Sequence, residues 1–197
     1  IWQYPIFQLH AAMRTYIPQP SIWVVDPLGS AFRALILVSL LVGICDAVDI
    51  MGDANGLLAG LWMQCGIALC VVAPALWGLA LAGACLGFLA FNRQAAKVCM
   101  GRAGSLALGA ALGGLALFEH AFLLLPFIGF VFLIEWFSVA VQAFSFKRLG
   151  EEGSRSVACF PLHRRLELAG WSEWRVVLTF WGLNLLTSIR GMALWEL

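Results

Sequence analysis

The sequence predicts an all-α protein, a polytopic integral membrane bundle of about six transmembrane helices. The first observation is composition: the 197-residue chain is 62% hydrophobic and 12% charged, whereas a soluble domain usually carries about 25% charged residues. The second is that long apolar runs alternate with short polar segments. The third is that the basic residues gather in two of those segments. We therefore expect the lipid bilayer as the main partner, and no nucleic acid.

The chain is expected to divide at residue 30. Residues 1–30 combine aromatic residues with several prolines, which predicts an irregular interfacial segment rather than a straight span. Residues 31–197 are expected to form the membrane domain. Its spans are predicted at about 31–48, 57–72, 75–91, 106–118, 121–144 and 175–189. A long polar loop, Ser145–Trp174, is predicted before the last span.

Small residues in the fourth span predict close helix packing there. They are Gly109, Gly113 and Gly114, placed among alanines. Because glycine has no side chain, a neighbouring helix can approach its backbone closely.

Basic residues predict the orientation of the bundle. Of the twelve Lys and Arg residues, nine fall in the segments 92–105 and 145–175. If the predicted spans alternate in direction, both segments lie on the same side of the membrane, together with the loop 49–56. The positive-inside rule then places all three in the cytoplasm.

The most specific stretch of the chain is residues 159–181, CFPLHRRLELAGWSEWRVVLTFW. Other distinctive blocks precede it in order, namely LGFL at 86–89, MGRAGS at 100–105, and Glu135, Gln142 and the SFK block in the fifth span. Together they resemble the last six spans of the bacterial phospho-N-acetylmuramoyl-pentapeptide transferases (the MraY family). The resemblance runs from about residue 31 to the end of the chain.

The resemblance implies a bacterial inner-membrane enzyme that moves a phospho-sugar from a uridine diphosphate carrier to polyprenyl phosphate. Bringing two anionic phosphates together requires a cation, and Mg²⁺ held by carboxylate oxygens meets that need. The family is expected to place a metal-binding aspartate in its MGDxGS block. Here that position is Arg102. An arginine cannot ligate a cation, although it can pair with a phosphate.

A second departure lies in the first polar loop. The family sequence NLTDGLDG is replaced here by DIMGDANG, residues 49–56. Aligned without a gap, Asp49 stands for Asn, Gly52 for the first Asp and Asn55 for the second. Asp53 is displaced by one residue, which is about 100° on a helix.

A third departure concerns histidine. The family has three consecutive histidines where this chain has His163, Arg164 and Arg165. His163 is expected either to bind a phosphate or to be a solvated loop residue. Arg164 and Arg165, like Arg102, are expected to meet a phosphate or an anionic lipid, or else to be ordinary positive-inside charge.

Two polar residues lie within the fifth span. Glu135 and Gln142 are seven residues apart and share a helix face. An intramembrane carboxylate is a functional candidate, and a hydrogen-bonding pair that holds the bundle together is the structural alternative. His10 and His120 are interfacial residues or, alternatively, ligands of a pigment.

The three departures fall on polar active-site positions, while apolar and glycine positions match the family. We therefore predict a catalytically inactive member that serves as a structural or accessory subunit beside other membrane proteins, with no cofactor. The alternative is a divergent or split transferase, which alone would require Mg²⁺. A weaker alternative is a protein that binds polyprenyl phosphate or another lipid without chemistry.

Overall fold

The structure, a computed structural model, describes residues 27–73, 76–93, 96–119, 121, 124–156 and 161–195. Every regular element in these ranges is an α-helix, which confirms the predicted all-α class. The helices are α1 (Pro27–Ile50), α2 (Leu57–Val72), α3 (Leu76–Asn92), α4 (Gly101–Phe118), α5 (Leu125–Ile128), α6 (Phe130–Ser156), α7 (Leu162–Leu168) and α8 (Glu173–Trp195). The predictions for His10 and His120 fall outside the described residues.

Two compact units divide the chain, Ile1–Leu40 and Leu41–Leu197. The second unit contains every side chain of the candidate site described below. The sequence-based division at residue 30 stays a prediction, because residues 1–26 lie outside the described ranges.

Two of the described helices have the length of a membrane span, and several expose apolar surfaces. Helices α4 and α8 are long and apolar enough to cross a bilayer, and α2, α3 and the apolar part of α6 are shorter. Large apolar side chains are exposed on them, including Trp77 at 76% and Phe118 at 82%. Lipid rather than water suits such surfaces. The polytopic membrane class predicted from composition is thereby confirmed.

Helix α2 is the centre of the second unit. It packs against α3, α4, α5 and α8, and most of its residues are buried. Trp62 is fully buried, and its indole nitrogen donates a hydrogen bond to the carbonyl of Leu108 on α4 (2.8 Å). Since a buried indole N–H needs a partner, this bond fixes where α4 lies on α2.

Two of the three glycines predicted to allow close packing do so. A Cβ atom at Gly109 would lie 2.8 Å from the Cα of Cys45 on α1, and one at Gly113 would overlap Leu41. The prediction is wrong for Gly114, where an added Cβ would meet nothing within 4 Å. One face of α4 therefore packs against the second half of α1, which brings the loop after α1 to the start of α4.

The prediction of a polar loop over residues 145–174 is wrong for most of that segment, which is helical. Helix α6 continues to Ser156, and residues 162–168 form α7. Lys, Arg and Glu end an apolar span but favour helix about as strongly as leucine does, so the helix extends beyond the apolar segment. Similarly, α4 begins at Gly101, five residues before the predicted span.

The predicted fifth span is interrupted rather than continuous. Helix α5 ends at Ile128, and α6 begins at Phe130. At the junction, the carbonyl of Ile128 accepts hydrogen bonds from Cys65 Sγ on α2 (2.9 Å) and from Ser188 Oγ on α8 (3.5 Å). Two side chains thus satisfy the backbone carbonyl that the interruption leaves without a helical partner. Such partners are needed within a membrane, where water is absent.

Candidate functional site

A small polar cavity lies between the loop after α1 and the start of α4. Its volume is about 210 Å³, and it is lined by Asp49, Gly52, Asp53, Gly101, Arg102 and Ser105. The structure therefore brings together two of the departures that the sequence showed, the loop 49–56 and Arg102.

Asp49 and Arg102 form an ion pair in this cavity. The Arg102 Nε donates to Asp49 Oδ2 at 3.0 Å. Ser105 Oγ lies 2.6 Å from Asp49 Oδ1, where it can donate its proton, and 2.9 Å from the carbonyl of Arg102. Both oxygens of the Asp49 carboxylate thus have a partner within the protein.

Local backbone structure explains why these groups meet. Hydrogen bonds from Met51 N to Val48 O (3.2 Å) and from Gly52 N to Asp49 O (3.0 Å) fold the chain into turns directly after α1. At Gly52, an added Cβ would lie only 2.9 Å from the Cβ of Ser105. A glycine at this position is therefore what allows Ser105 to reach Asp49.

The charges of the cavity do not balance. The formal charges of Asp49, Asp53 and Arg102 sum to one negative charge. Arg102 is a cation in the first turn of α4, where the helix dipole disfavours it, and the Asp49 carboxylate offsets that cost. The Arg102 side chain is 82% exposed and that of Asp49 is 20% exposed. A pair this open to solvent contributes at most about 1 kcal/mol to stability.

In the conformation described, the Arg102–Asp49 pair is not arranged as a Mg²⁺ site. That ion takes oxygen ligands in octahedral geometry, usually one or two carboxylates with water and phosphate. The guanidinium of Arg102 occupies the position expected for a carboxylate, and it holds the Asp49 carboxylate. Among the described residues, no three His, Cys, Asp or Glu side chains are grouped as a metal site would group them.

Asn92 bonds to both sides of this region, a role that the sequence did not show. Its Oδ1 accepts from the backbone nitrogen of Gly56 (2.9 Å), and its Nδ2 donates to the carbonyl of Val98 (2.8 Å). Gly56 has φ +74°, a conformation that favours glycine. Asn92 thereby connects the end of the loop 49–56 to the segment that leads into α4. Asn55, the other asparagine of this region, is half-buried and does not line the cavity.

Glu135 is fully buried and bonds to the first turn of α7. Its Oε2 accepts from Leu162 N (2.8 Å), and its Oε1 accepts from His163 N (2.8 Å). His163 Nδ1 lies 3.1 Å from the same Oε1. The carboxylate therefore caps the start of α7 from a neighbouring helix and satisfies backbone donors that no earlier turn can satisfy.

This arrangement corrects the expectation for His163. The side chain is 7% exposed, so the solvated-loop alternative is wrong. Burial follows from the Glu135 contact, because a buried carboxylate must be paired or hydrogen-bonded. Gln142 is also buried, as a face shared with Glu135 predicts, and its Nε2 donates to Ser138 Oγ (3.1 Å).

The two arginines after His163 are on the surface. Arg164 Nη1 pairs with Glu167 Oε2 at 2.6 Å, one helical turn away, and Arg165 is exposed. Among the described residues that line the cavity, none belongs to α7. The expected phosphate contacts of Arg102, His163, Arg164 and Arg165 are therefore not gathered around one cavity, and each stays a prediction.

Sequence comparisons identify a family and several relatives of this chain. The sequence profile of the family described as glycosyl transferase family 4 matches residues 4–120. A phospho-N-acetylmuramoyl-pentapeptide-transferase from Anoxybacillus flavithermus is 43% identical over 196 residues, covering 96% of this chain and 59% of that protein. Proteins of the same name from Bacillus thuringiensis and Bacillus cereus are each 42% identical over 188 residues, covering 92% of this chain and 57% of theirs.

The chain thus spans less than two thirds of the length of the curated relatives that it matches. Within that span the similarity is nearly continuous, and it confirms the resemblance inferred from the sequence blocks. The profile match covers more than half of the chain, and the chain therefore belongs to glycosyl transferase family 4.

Proposed function

We propose that this chain is a membrane protein that keeps the transferase scaffold but does not itself catalyse Mg²⁺-dependent phospho-sugar transfer, and that it serves as a structural or accessory subunit. The ion pair between Arg102 and Asp49 carries this proposal. It places a fixed organic cation where the family resemblance implies a metal-binding carboxylate.

The chemistry of transfer explains why one substitution matters so much. Mg²⁺, if bound, would neutralise the charge that develops on the phosphates during transfer. A guanidinium offers hydrogen bonds to phosphate, but it cannot accept a phosphate oxygen or water into a coordination shell. Arg102 is also engaged by Asp49. The remaining carboxylate, Asp53, is exposed and displaced by one residue from the family position.

The loop 49–56 has Gly52 where the family has its first aspartate. A Cβ atom at position 52 would lie 2.9 Å from the Cβ of Ser105, so restoring an aspartate there requires a local shift of the two segments. Likewise, the retained His163 is explained by its bonds to Glu135. Asp49, Arg102 and His163 are thus engaged in contacts within the protein, which is what a scaffold requires.

Release of uridine monophosphate tests the proposal directly. The purified chain would be incubated with Mg²⁺, polyprenyl phosphate and the uridine diphosphate-linked phospho-sugar that the resemblance implies. We expect no release above a no-protein blank. The matched variant is the double substitution Asp49→Asn and Arg102→Asp, which restores the family pair. Mg²⁺-dependent release by the unmodified chain would overturn the proposal.

The accessory role requires a second measurement. Native mass spectrometry of the assembly extracted from membranes should show this chain in fixed stoichiometry with other membrane proteins. A lone, partner-free species would contradict the accessory role while leaving the absence of catalysis untouched.

A divergent or split transferase is the second candidate. The 43% identity to a named transferase over 96% of this chain and the two carboxylates in the cavity favour it. In that case, Mg²⁺ would have to be held partly by carboxylates that lie outside this chain. Uridine monophosphate release that appears only when a polypeptide supplying them is present would establish this candidate and displace the first.

A further inference from the structure

We propose that Glu135 is a positioning residue that fixes the ring of His163 as the Nδ1–H tautomer and holds α7 in place. The inference is independent of whether the chain is an enzyme. It rests on the contacts of one completely buried carboxylate.

Three donors converge on the two oxygens of Glu135. Two are backbone nitrogens, those of Leu162 and His163, and each lies 2.8 Å from an oxygen. These two bonds hold the carboxylate at a fixed place relative to the backbone of α7. The third contact, from His163 Nδ1 at 3.1 Å, is therefore made to a carboxylate oxygen whose position is already fixed by those two bonds. Since a carboxylate is acceptor-only when ionised, Nδ1 must carry the proton.

The tautomer decides what His163 can offer to a ligand. With the proton on Nδ1, a neutral imidazole has only a lone pair at Nε2. That nitrogen accepts from a hydroxyl but gives an ionised phosphate oxygen no donor. Phosphate binding by His163 would therefore require a doubly protonated ring, whereas a ligand hydroxyl is accepted by the neutral ring.

Nitrogen-15 NMR of the histidine ring tests the tautomer. Replacing His10 and His120 with asparagine leaves His163 as the last of the three histidines. In detergent or nanodiscs at a pH where the ring is neutral, we expect a protonated Nδ1 and an unprotonated Nε2. In Glu135→Gln, one oxygen is left for three donors, and the Nε2–H tautomer should become populated. The control is Gln142→Ala, which removes another buried polar side chain from α6 and should leave the tautomer unchanged.

Amide hydrogen exchange provides a second readout. Exchange at Leu162 or His163 should be at least about fivefold faster in Glu135→Gln, because a buried backbone donor loses its acceptor. Gln142→Ala is again the control and should leave exchange at both amides unchanged. An Nε2–H tautomer in the unmodified protein would overturn the inference, and this outcome needs no Glu135 variant. Unchanged exchange at both amides in a folded Glu135→Gln would contradict the part of the inference that concerns α7.

Discussion

The indole ring of Trp181 on α8 lies directly over Gly60 on α2, so closely that a Cβ atom at position 60 would overlap it. The Trp181 Nε1 also donates to the carbonyl of Leu57 at the start of α2 (3.3 Å). These two contacts join the last helix to the central one across more than a hundred residues of chain.

Gly60→Ala should therefore destabilise the protein. The methyl group forces Trp181 away from α2, and overpacking of this kind typically costs about 1–3 kcal/mol. We expect a clear fall in the midpoint of thermal unfolding in detergent, measured by tryptophan fluorescence or by loss of monodisperse protein. Gly114→Ala is the matched control, since its Cβ would meet nothing within 4 Å. Equal midpoints for the two variants would contradict the packing described for α2 and α8.

Asn92 should be more important for stability than its place at a helix end suggests. Asn92→Ala removes the partner of Gly56 N and of the Val98 carbonyl, and each loss costs about 1–3 kcal/mol if the group stays buried. Asn92→Asp keeps the acceptor for Gly56 but places a carboxylate oxygen against the Val98 carbonyl, so it should not recover the stability of the unmodified protein. An unfolding midpoint for Asn92→Asp equal to that of the unmodified protein would show that the donor assignment of this side chain is wrong.

Mg²⁺ should not stabilise the unmodified protein. Any ligand that binds the folded state alone raises the unfolding midpoint in proportion to the logarithm of its concentration, and Arg102 occupies the expected metal position. The double variant Asp49→Asn and Arg102→Asp removes that cation and should gain a Mg²⁺-dependent rise. Ca²⁺ and NaCl at matched ionic strength are the controls for screening of exposed charge. A Mg²⁺-specific rise in the unmodified protein would show that the guanidinium does not exclude the ion.

Cys99 reports the orientation of the bundle. It is exposed in the segment between α3 and α4, which the positive-inside rule places in the cytoplasm. In a variant that keeps Cys99 and replaces the other cysteines with alanine, a membrane-impermeant maleimide should label inverted vesicles but not intact spheroplasts. Labelling of intact spheroplasts would reverse the predicted orientation. A second single-cysteine variant, at exposed Phe118 near the other end of α4, should give the opposite pattern.

The sequence predicted the helical class and the approximate place of each span, because an apolar run of sufficient length has few alternatives in a membrane. It could not show where helices end once charged residues begin, and so α7 and the extension of α6 to Ser156 were missed. It also identified Asp49 and Arg102 as departures from the family without showing that they pair. That contact depends on the approach of α4 to α1 through Gly109, which spacing alone does not reveal.

Burial was the property least visible in the sequence. His163 follows Pro161 and precedes two arginines, a context typical of a solvated loop. It is nevertheless buried, because its ring and backbone bond to Glu135. Twenty-seven residues separate the two in sequence, and each was assigned separately. The signal that connects them is that a carboxylate within a span requires donors, and the first turn of a nearby short helix has unsatisfied ones.

The interruption at Ile128 makes the middle of the bundle a fixed corner rather than a hinge. Its carbonyl takes donors from both Cys65 and Ser188, and bending at this point would leave that oxygen without a partner where water has no access. A buried carbonyl oxygen without a hydrogen-bond donor costs several kcal/mol of stability. Helices α2, α5 and α8 are thereby connected through one carbonyl, so a deformation of the surrounding bilayer would act on the three together.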